Sequence, residues 1–189
     1  MERLKEAILQ RGSVRGQDIV KVDSFLNHQL DIELMDAMAQ EFAVRFAKDG
    51  VTKILTCEAS GIAIAAAVAR IFQVPAVFAK KTPSRNLDPD CYSADVYSYT
   101  RQQIYQIRVS RSYLGPDDRI LVVDDFLANG LALLGMKSLV NQAGAYLVGC
   151  GIVIEKGFQP GGEKVRSTGT RVESLAVIAG IENGQIVFA

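Results

Sequence analysis

The pattern of apolar and polar positions alternates between strand-like and helix-like stretches along most of the chain. Short apolar runs typical of buried strands are followed by stretches whose apolar residues recur every three to four positions, as on one face of a helix. This alternation predicts an α/β fold with a mostly parallel sheet flanked by helices. The predicted strands are 53–57, 75–78, 119–124 and 146–154, and the predicted helices are 2–11, 31–50, 62–72 and 131–143.

Two regions depart from this alternation. Residues 82–97 contain two prolines, several polar residues and no helical period, which predicts a mobile loop. Strand-like runs occur around 93–100 and 103–109, and the polar stretch 159–170 precedes a further strand-like run at 172–180. The pair Asn183-Gly184 is a strong signal for a β-hairpin close to the end of the sequence.

Length and composition narrow the class of protein. A chain of 189 residues suits one domain. The chain has 21 Lys and Arg residues and 21 Asp and Glu residues, so it has no net positive charge to attract a nucleic-acid backbone. The apolar runs are far shorter than the roughly 20 residues that cross a membrane. Three isolated cysteines fit a reducing compartment. We therefore expect a cytoplasmic domain over 1–189, with a core at about 31–154 and additions at about 1–30 and 155–189.

The segment ILVVDDFLANGLA, residues 120–132, combines a buried strand, two acids and a loop of small residues. Asp124 and Asp125 fall at the predicted carboxyl end of the strand, where ligands bind in open α/β sheets. The loop at 128–132 precedes a helix, so its backbone amides and the helix dipole favour a phosphate. Carboxylates can bind sugar hydroxyls, and the neighbouring amides can bind a phosphate. Together they indicate a phosphorylated ribose as the ligand. The loop residues are Ala128, Asn129, Gly130, Leu131 and Ala132.

Two further segments follow predicted strands directly. Glu58, Ser60 and Gly61 open the helix after the first strand and form a second natural anion site, although a turn capped by Ser60 has the same pattern. Lys80 and Lys81 follow the second strand, where two cations suit an anionic group and a solvated charged strand end is the alternative.

These features together resemble the type I phosphoribosyltransferases, whose phosphoribosyl pyrophosphate motif has four apolar residues, two acids and a phosphate loop. The resemblance also covers KVDSFLNHQ at 21–29, the loop at 58–61 and VIEK at 153–156. It implies the fold of that family, with a small base-binding hood formed by the N-terminal and C-terminal segments. Neither a Walker loop nor a G-x-G-x-x-G dinucleotide motif occurs in the chain.

The resemblance implies roles for the donor-site residues. Asp124 and Asp125 would bind the ribose 2′- and 3′-hydroxyls, and residues 128–132 would hold the 5′-phosphate. Many relatives have hydroxyl residues where this chain has Asn129 and Ala132, so the phosphate would depend more on backbone amides. The loop at 58–61 and the two lysines would bind pyrophosphate, with Mg²⁺ carried by the diphosphate rather than by a protein metal site.

The base-site residues also follow from the resemblance. In the 6-oxopurine members a lysine binds the oxygen at position 6, and Lys156 matches it. The hood segment is similar to that of the xanthine-using members, in which positions matching Val20 and Asn27 contact xanthine. The implied reaction transfers phosphoribose to N9 of xanthine in a homodimeric enzyme of purine salvage, and the resemblance assigns no general base.

Two alternatives remain open from the sequence. A transferase for guanine, hypoxanthine or orotate would share the donor site, because only the hood distinguishes the bases. A regulator that senses phosphoribosyl pyrophosphate without catalysis would keep the same motif, but it needs a DNA-binding module and a positive surface. About thirty residues before the core and zero net charge argue against such a regulator.

Overall fold

The computed structural model describes residues 1–16, 18–81, 90–98 and 102–189. Over these ranges the chain forms a six-stranded sheet with helices on both faces and two small two-stranded sheets. The helices are α1 (Glu2–Arg11), α2 (Ile32–Arg45), α3 (Gly61–Phe72), α4 (Leu131–Gln142) and α5 (Gly161–Arg166). The strands are β1 (Ser13–Arg15), β2 (Ile19–Lys21), β3 (Lys53–Cys57), β4 (Ala76–Ala79), β5 (Cys91–Ser98), β6 (Gln103–Ser110), β7 (Arg119–Leu127), β8 (Tyr146–Lys156), β9 (Val172–Glu182) and β10 (Gln185–Phe188).

The order of the central sheet is β10-β9-β8-β7-β3-β4, with β10 antiparallel to β9 and the other neighbours parallel. The chain moves outward from β3 to β4 and, in the opposite direction, from β7 through β8 to β9. The switch point therefore lies between β3 and β7, where parallel sheets open a ligand crevice at the carboxyl ends of the strands. The segments after these two strands are the two predicted anion loops.

Buried apolar residues form one layer on each face of the sheet. One layer packs α1, α2 and α3 against the sheet and includes Leu4, Phe42 and Ile64. The other packs α4 and the β5–β6 hairpin against it and includes Ile107 and Met136. Among the described residues, we find no helix with the length and apolar character needed to span a membrane.

Most predicted elements are confirmed within a few residues. Asp31 caps α2 as expected, because its side chain accepts a hydrogen bond from the Leu34 amide at 3.1 Å. The predicted hairpin is also confirmed: Asn183 and Gly184 have φ of 51° and 78° and join β9 to β10. The helix predicted to continue to Gly50 instead ends at Arg45. Gly50, with φ of 61°, terminates a turn rather than the helix.

Two further boundaries and one additional helix differ from the prediction. The motif strand extends to Leu127, because its backbone keeps pairing with β8 through Phe126 and Leu127 whatever the side chains are. The predicted loop at 82–97 is a strand from Cys91 onward, paired in register with β6, while residues 82–89 lie outside the described residues. The short helix α5, within the polar stretch 159–170, was not predicted.

The terminal segments belong to the same fold as the core rather than standing apart from it. Strand β9, in the segment predicted as an addition at 155–189, pairs with β8 as a regular parallel member of the central sheet. Leu4 and Ile8 of α1 are fully buried in the core. A hydrophobic face on each terminal segment explains this, because such faces are stable only when they are packed.

Candidate active site

The two acids of the motif lie inside β7 rather than beyond its end. Asp124 and Asp125 are each 7% exposed, and the Asp125 amide donates to Asp124 Oδ1 at 3.1 Å. Burial and the neighbouring Asp125 carboxylate raise the pKa of Asp124 well above its ordinary value. Both acids were predicted at the carboxyl end of a strand ending at residue 124, whereas the strand continues to Leu127 and buries them. The pair is a buried polar site at the switch point of the sheet.

The loop at 128–132 follows the acids and leads into α4. Gly130 has φ of 77° and stands immediately before the first residue of that helix, and its carbonyl accepts from the Leu134 amide at 3.0 Å. The unpaired amides of the first turn of α4 are therefore available to an anion. The loop borders a cleft of about 170 Å³, which is also lined by Tyr105 and Phe126.

The loop at 58–61 leaves the neighbouring strand β3 and leads into α3. It contains a cis peptide between Glu58 and Ala59, and Ser60 makes no side-chain cap. Gly61 lies directly against the acid pair, because a Cβ there would stand 2.9 Å from Asp124 Oδ1 and 2.0 Å from Thr56 Oγ1. The structure thus brings the loop and the acids together, as predicted.

The two lysines differ in their surroundings. Lys80 is fixed through its backbone, which exchanges hydrogen bonds of 2.9 and 3.0 Å with that of Arg108. Lys81 is exposed, its amide donates to Glu58 Oε1, and its ammonium lies 5.5 Å from the centre of the Tyr105 ring. Lys81 therefore adds a positive charge beside the 58–61 loop.

The N-terminal segment contacts the acid pair directly. Asn27 Nδ2 donates to Asp125 Oδ2 at 3.0 Å, across 98 positions of sequence. The Lys156 ammonium donates to the carbonyl of Asp18 at 2.7 Å, two residues before the buried Val20. Burial lowers the pKa of Lys156. The three residues predicted for the base therefore lie where the N-terminal segment meets the ends of β7 and β8.

Several residues at the site were missed by sequence reasoning. Phe126 lies 5.8 Å from the Lys156 ammonium, measured to its ring centre, and so contributes an aromatic surface beside that lysine. The Gly161 amide donates to the Ala128 carbonyl at 3.0 Å, and Glu155 pairs with Arg166 of the same helix. The sequence signal for Glu155 was an acidic residue next to the β-branched run that precedes Lys156. A charged side chain is rarely buried without a partner, so such a residue indicates a paired group.

The oxygen atoms at the switch point fit a hard cation such as Mg²⁺. Asp124 and Asp125 supply carboxylates, and the buried Thr56 Oγ1 has no hydrogen-bond partner among the described residues. Mg²⁺ in proteins is usually bound by one or two carboxylates together with phosphate oxygens and water. Over the described ranges there is no cluster of three or more His, Cys, Asp and Glu side chains placed to hold a metal.

The fold and site define a class of protein. The two predicted anion loops and the acid pair share the switch point of a parallel sheet, and the family model for a phosphoribosyl transferase domain matches residues 21–169. The chain therefore belongs to the phosphoribosyltransferase family. Its fold is similar to that of adenine phosphoribosyltransferases from Giardia lamblia, with a TM-score of 0.78 at 24% identity over 92% of this chain and 96% of that one. A second such structure, from Rhodothermus marinus, gives a TM-score of 0.77 at 20% identity over 94% of this chain and 100% of that one.

The more similar relatives carry a narrower name. The chain is 55% identical to the xanthine phosphoribosyltransferase of Ruminiclostridium cellulolyticum, over 100% of this chain and 99% of that protein. It is 53% identical to the xanthine phosphoribosyltransferase of Clostridioides difficile, over 100% of both chains.

Proposed function

We propose that this protein transfers the 5-phosphoribosyl group of phosphoribosyl pyrophosphate to N9 of xanthine. The C1′–oxygen bond to pyrophosphate breaks, the C1′–N9 bond forms, and xanthine loses one proton, so the products are xanthosine 5′-monophosphate and diphosphate. The observation that carries this proposal is the contact of Asn27 with Asp125, because it joins the expected base site to the expected ribose site. The full-length similarity to xanthine phosphoribosyltransferases supports the choice of base.

The donor would lie across the switch point. The amides of residues 128–132 bind the 5′-phosphate, and Asp124 and Asp125 accept hydrogen bonds from the ribose hydroxyls. Glu58, Ser60 and Gly61 line the diphosphate, whose charge Lys80 and Lys81 offset. This division follows the sites described above, since each anion faces a helix amino terminus or a cation and each hydroxyl faces an acid.

The base would lie between the N-terminal segment and the end of β8. Lys156 donates to the oxygen at position 6, Asn27 pairs with the polar edge of the ring, and Val20 contributes an apolar contact. An amide both donates and accepts, which suits a base with oxygens at positions 2 and 6. Asn27 donates to Asp125 and Lys156 donates to the carbonyl of Asp18, so protein atoms hold both groups at this site.

Catalysis in this proposal depends on positioning and electrostatics rather than on a covalent intermediate. The transition state has the character of a ribosyl cation, and the acid pair lies where it stabilises that developing positive charge. Asp124 and Asp125 would help to hold Mg²⁺ that arrives with the donor, and the ion would offset the negative charge of the departing diphosphate. We assign no general base.

A panel of bases tests this function. The purified protein is incubated with phosphoribosyl pyrophosphate, Mg²⁺ and xanthine, guanine, hypoxanthine, adenine or orotate, and nucleotide formation is followed by absorbance. We expect the highest kcat/KM with xanthine. A higher value with another base would reassign the substrate, and no product with any base would favour the sensing regulator.

The location and assembly are part of the same proposal. Phosphoribosyl pyrophosphate is highly charged and does not cross membranes unaided, so its consumer acts where the donor is made, and we place the protein in the cytoplasm. We propose a homodimer that binds neither nucleic acid nor membrane. Light scattering of the purified chain measures the assembly directly, and a monomeric mass would contradict the dimer.

A further inference from the structure

An ion pair between the buried Glu155 and the exposed Arg166 lies behind the 128–132 loop and takes no part in the function proposed above. Glu155 of β8 is 4% exposed, and its two carboxylate oxygens accept hydrogen bonds of 2.6 and 2.8 Å from the Arg166 guanidinium. The Ser174 hydroxyl also donates to this carboxylate. Burial by itself would raise the pKa of Glu155, but the bonds from Arg166 and Ser174 hold it below its usual range. Glu155 is therefore a fixed, charged group.

The ion pair sets the position of α5. A Cβ on Gly162, in the first turn of this helix, would stand 2.0 Å from Glu155 Oε1 and 2.6 Å from an Arg166 nitrogen. The backbone of α5 thus lies directly on the ion pair, and only glycine allows this approach. Arg166 is itself the last residue of the helix. The ion pair therefore contacts the first turn of the helix and includes its last residue.

The first turn of α5 in turn supports the loop at 128–132. The Gly161 amide donates to the Ala128 carbonyl at 3.0 Å. A Cβ on Gly161 would stand 2.1 Å from that carbonyl oxygen and 2.6 Å from the Gly130 nitrogen. The two backbones are therefore in contact, and a displacement of α5 moves the amides of the loop with it.

We infer that Glu155 and Arg166 are positioning residues for the 5′-phosphate: their ion pair fixes α5, and α5 fixes the amides of the 128–132 loop. The inference rests on the proposed function, because it takes the ligand of this loop to be the 5′-phosphate of the donor. The inference also assigns different roles to the two faces of β8. Successive strand residues point to opposite faces, so Glu155 acts on the donor while the next residue, Lys156, acts on the base.

The test compares Arg166→Lys with a matched control. Lysine keeps the charge but loses the bidentate geometry that holds the Glu155 carboxylate. Arg171→Lys is the control, because Arg171 is 41% exposed in its side chain against 42% for Arg166, and it pairs with Asp49 at 3.0 Å away from the loop. We expect Arg166→Lys to raise the KM for phosphoribosyl pyrophosphate at least about fivefold, with the KM for xanthine within about twofold of wild type. Arg171→Lys should change neither.

A binding measurement separates positioning from general loss of stability. Calorimetry should show weaker binding of ribose 5-phosphate to Arg166→Lys and unchanged binding of pyrophosphate, because the 58–61 loop does not rest on α5. Simple destabilisation would reduce the active fraction and kcat without this split. Equal donor KM and equal ribose 5-phosphate affinity in folded Arg166→Lys and wild type would overturn the inference.

Two further outcomes are distinguishable. If Arg166→Lys does not fold, Glu155→Gln keeps the size of the side chain but removes its charge, and with it the ion pair to Arg166. A rise in donor KM alone then supports the inference, and a wild-type donor KM overturns it. If the wild-type protein itself neither uses nor binds the donor, the proposed function fails, whatever the variants do.

Discussion

The variant Gly130→Ala tests how tightly the 128–132 loop is packed against α5. Gly130 has φ of 77°, and a Cβ there would stand 2.9 Å from the Gly161 carbonyl oxygen and 3.0 Å from Val165 Cγ2. The Val165 side chain can rotate away from the added methyl group, but the Gly161 carbonyl belongs to the backbone of α5 and cannot rotate in this way. The substitution therefore combines an unfavourable backbone conformation with a steric conflict.

The expected loss of stability is the sum of these two effects. A left-handed conformation costs a residue with a Cβ roughly 1–2 kcal/mol, and overpacking against a fixed neighbour costs about 1–3 kcal/mol. Gly130→Ala should lower the free energy of unfolding by about 2–5 kcal/mol on these figures. Gly184→Ala is the matched control, because Gly184 has φ of 78° and no atom within 4 Å of the added Cβ. The control should lose only roughly 1–2 kcal/mol.

The assay pairs urea unfolding, followed by circular dichroism, with steady-state kinetics in the donor. We expect the donor KM of Gly130→Ala to rise about tenfold or more, since the loop amides must shift to admit the methyl group. The donor KM of Gly184→Ala should match wild type. If both variants lose the same stability and keep the same donor KM, the loop is not packed against α5 and the argument is refuted.

Four other outcomes follow from the site. Asp125→Asn should lower kcat about a hundredfold or more, the scale seen when a transition-state charge partner is removed, with an unchanged circular dichroism spectrum; normal turnover would remove Asp125 from the site. Lys156→Ala should raise the KM for xanthine about tenfold or more, as for loss of a charged hydrogen bond, and equal loss of donor binding would contradict its role. Because the pKa of Asp124 is raised above 3.8 in the folded state, wild type should lose stability as pH rises from that value towards the folded-state pKa, whereas Asp124→Asn should lack this slope in urea unfolding. Burial raises the pKa of Cys57 and Cys150 to about 12, so neither thiol should react with an aromatic disulfide reagent at about pH 8 in the native protein, and rapid reaction of either would show that the core opens.

The candidate donor site was predictable from the sequence because its parts are continuous segments. A buried strand, two acids and a glycine-containing loop occupy 120–132 without interruption. The rule that ligands bind at the carboxyl ends of parallel strands then places 58–61 beside them. The thiols of Cys57 and Cys150 are buried, and each lies within an apolar strand.

The length of the motif strand was less predictable. Polar side chains at Asp124 and Asp125 suggest that a strand has ended, but the backbone hydrogen bonds to β8 do not depend on those side chains. The acids are consequently buried, and the raised pKa of Asp124 follows from that burial. The helix α5 was missed because its six residues include two glycines and show too little apolar periodicity to stand out from a polar stretch.

Periodicity and local motifs by themselves determined the α/β class, the two anion loops and the acid pair, because these depend on residues close together in sequence. Tertiary structure alone decided which distant groups meet there. Asn27 reaches Asp125 across 98 positions, and Lys156 reaches the carbonyl of Asp18 across 138. The support of the phosphate loop by Gly161 likewise exists only once β8 and α5 have packed. Such contacts form when the apolar faces of distant elements pack together, and no short stretch of sequence shows which residues will become partners.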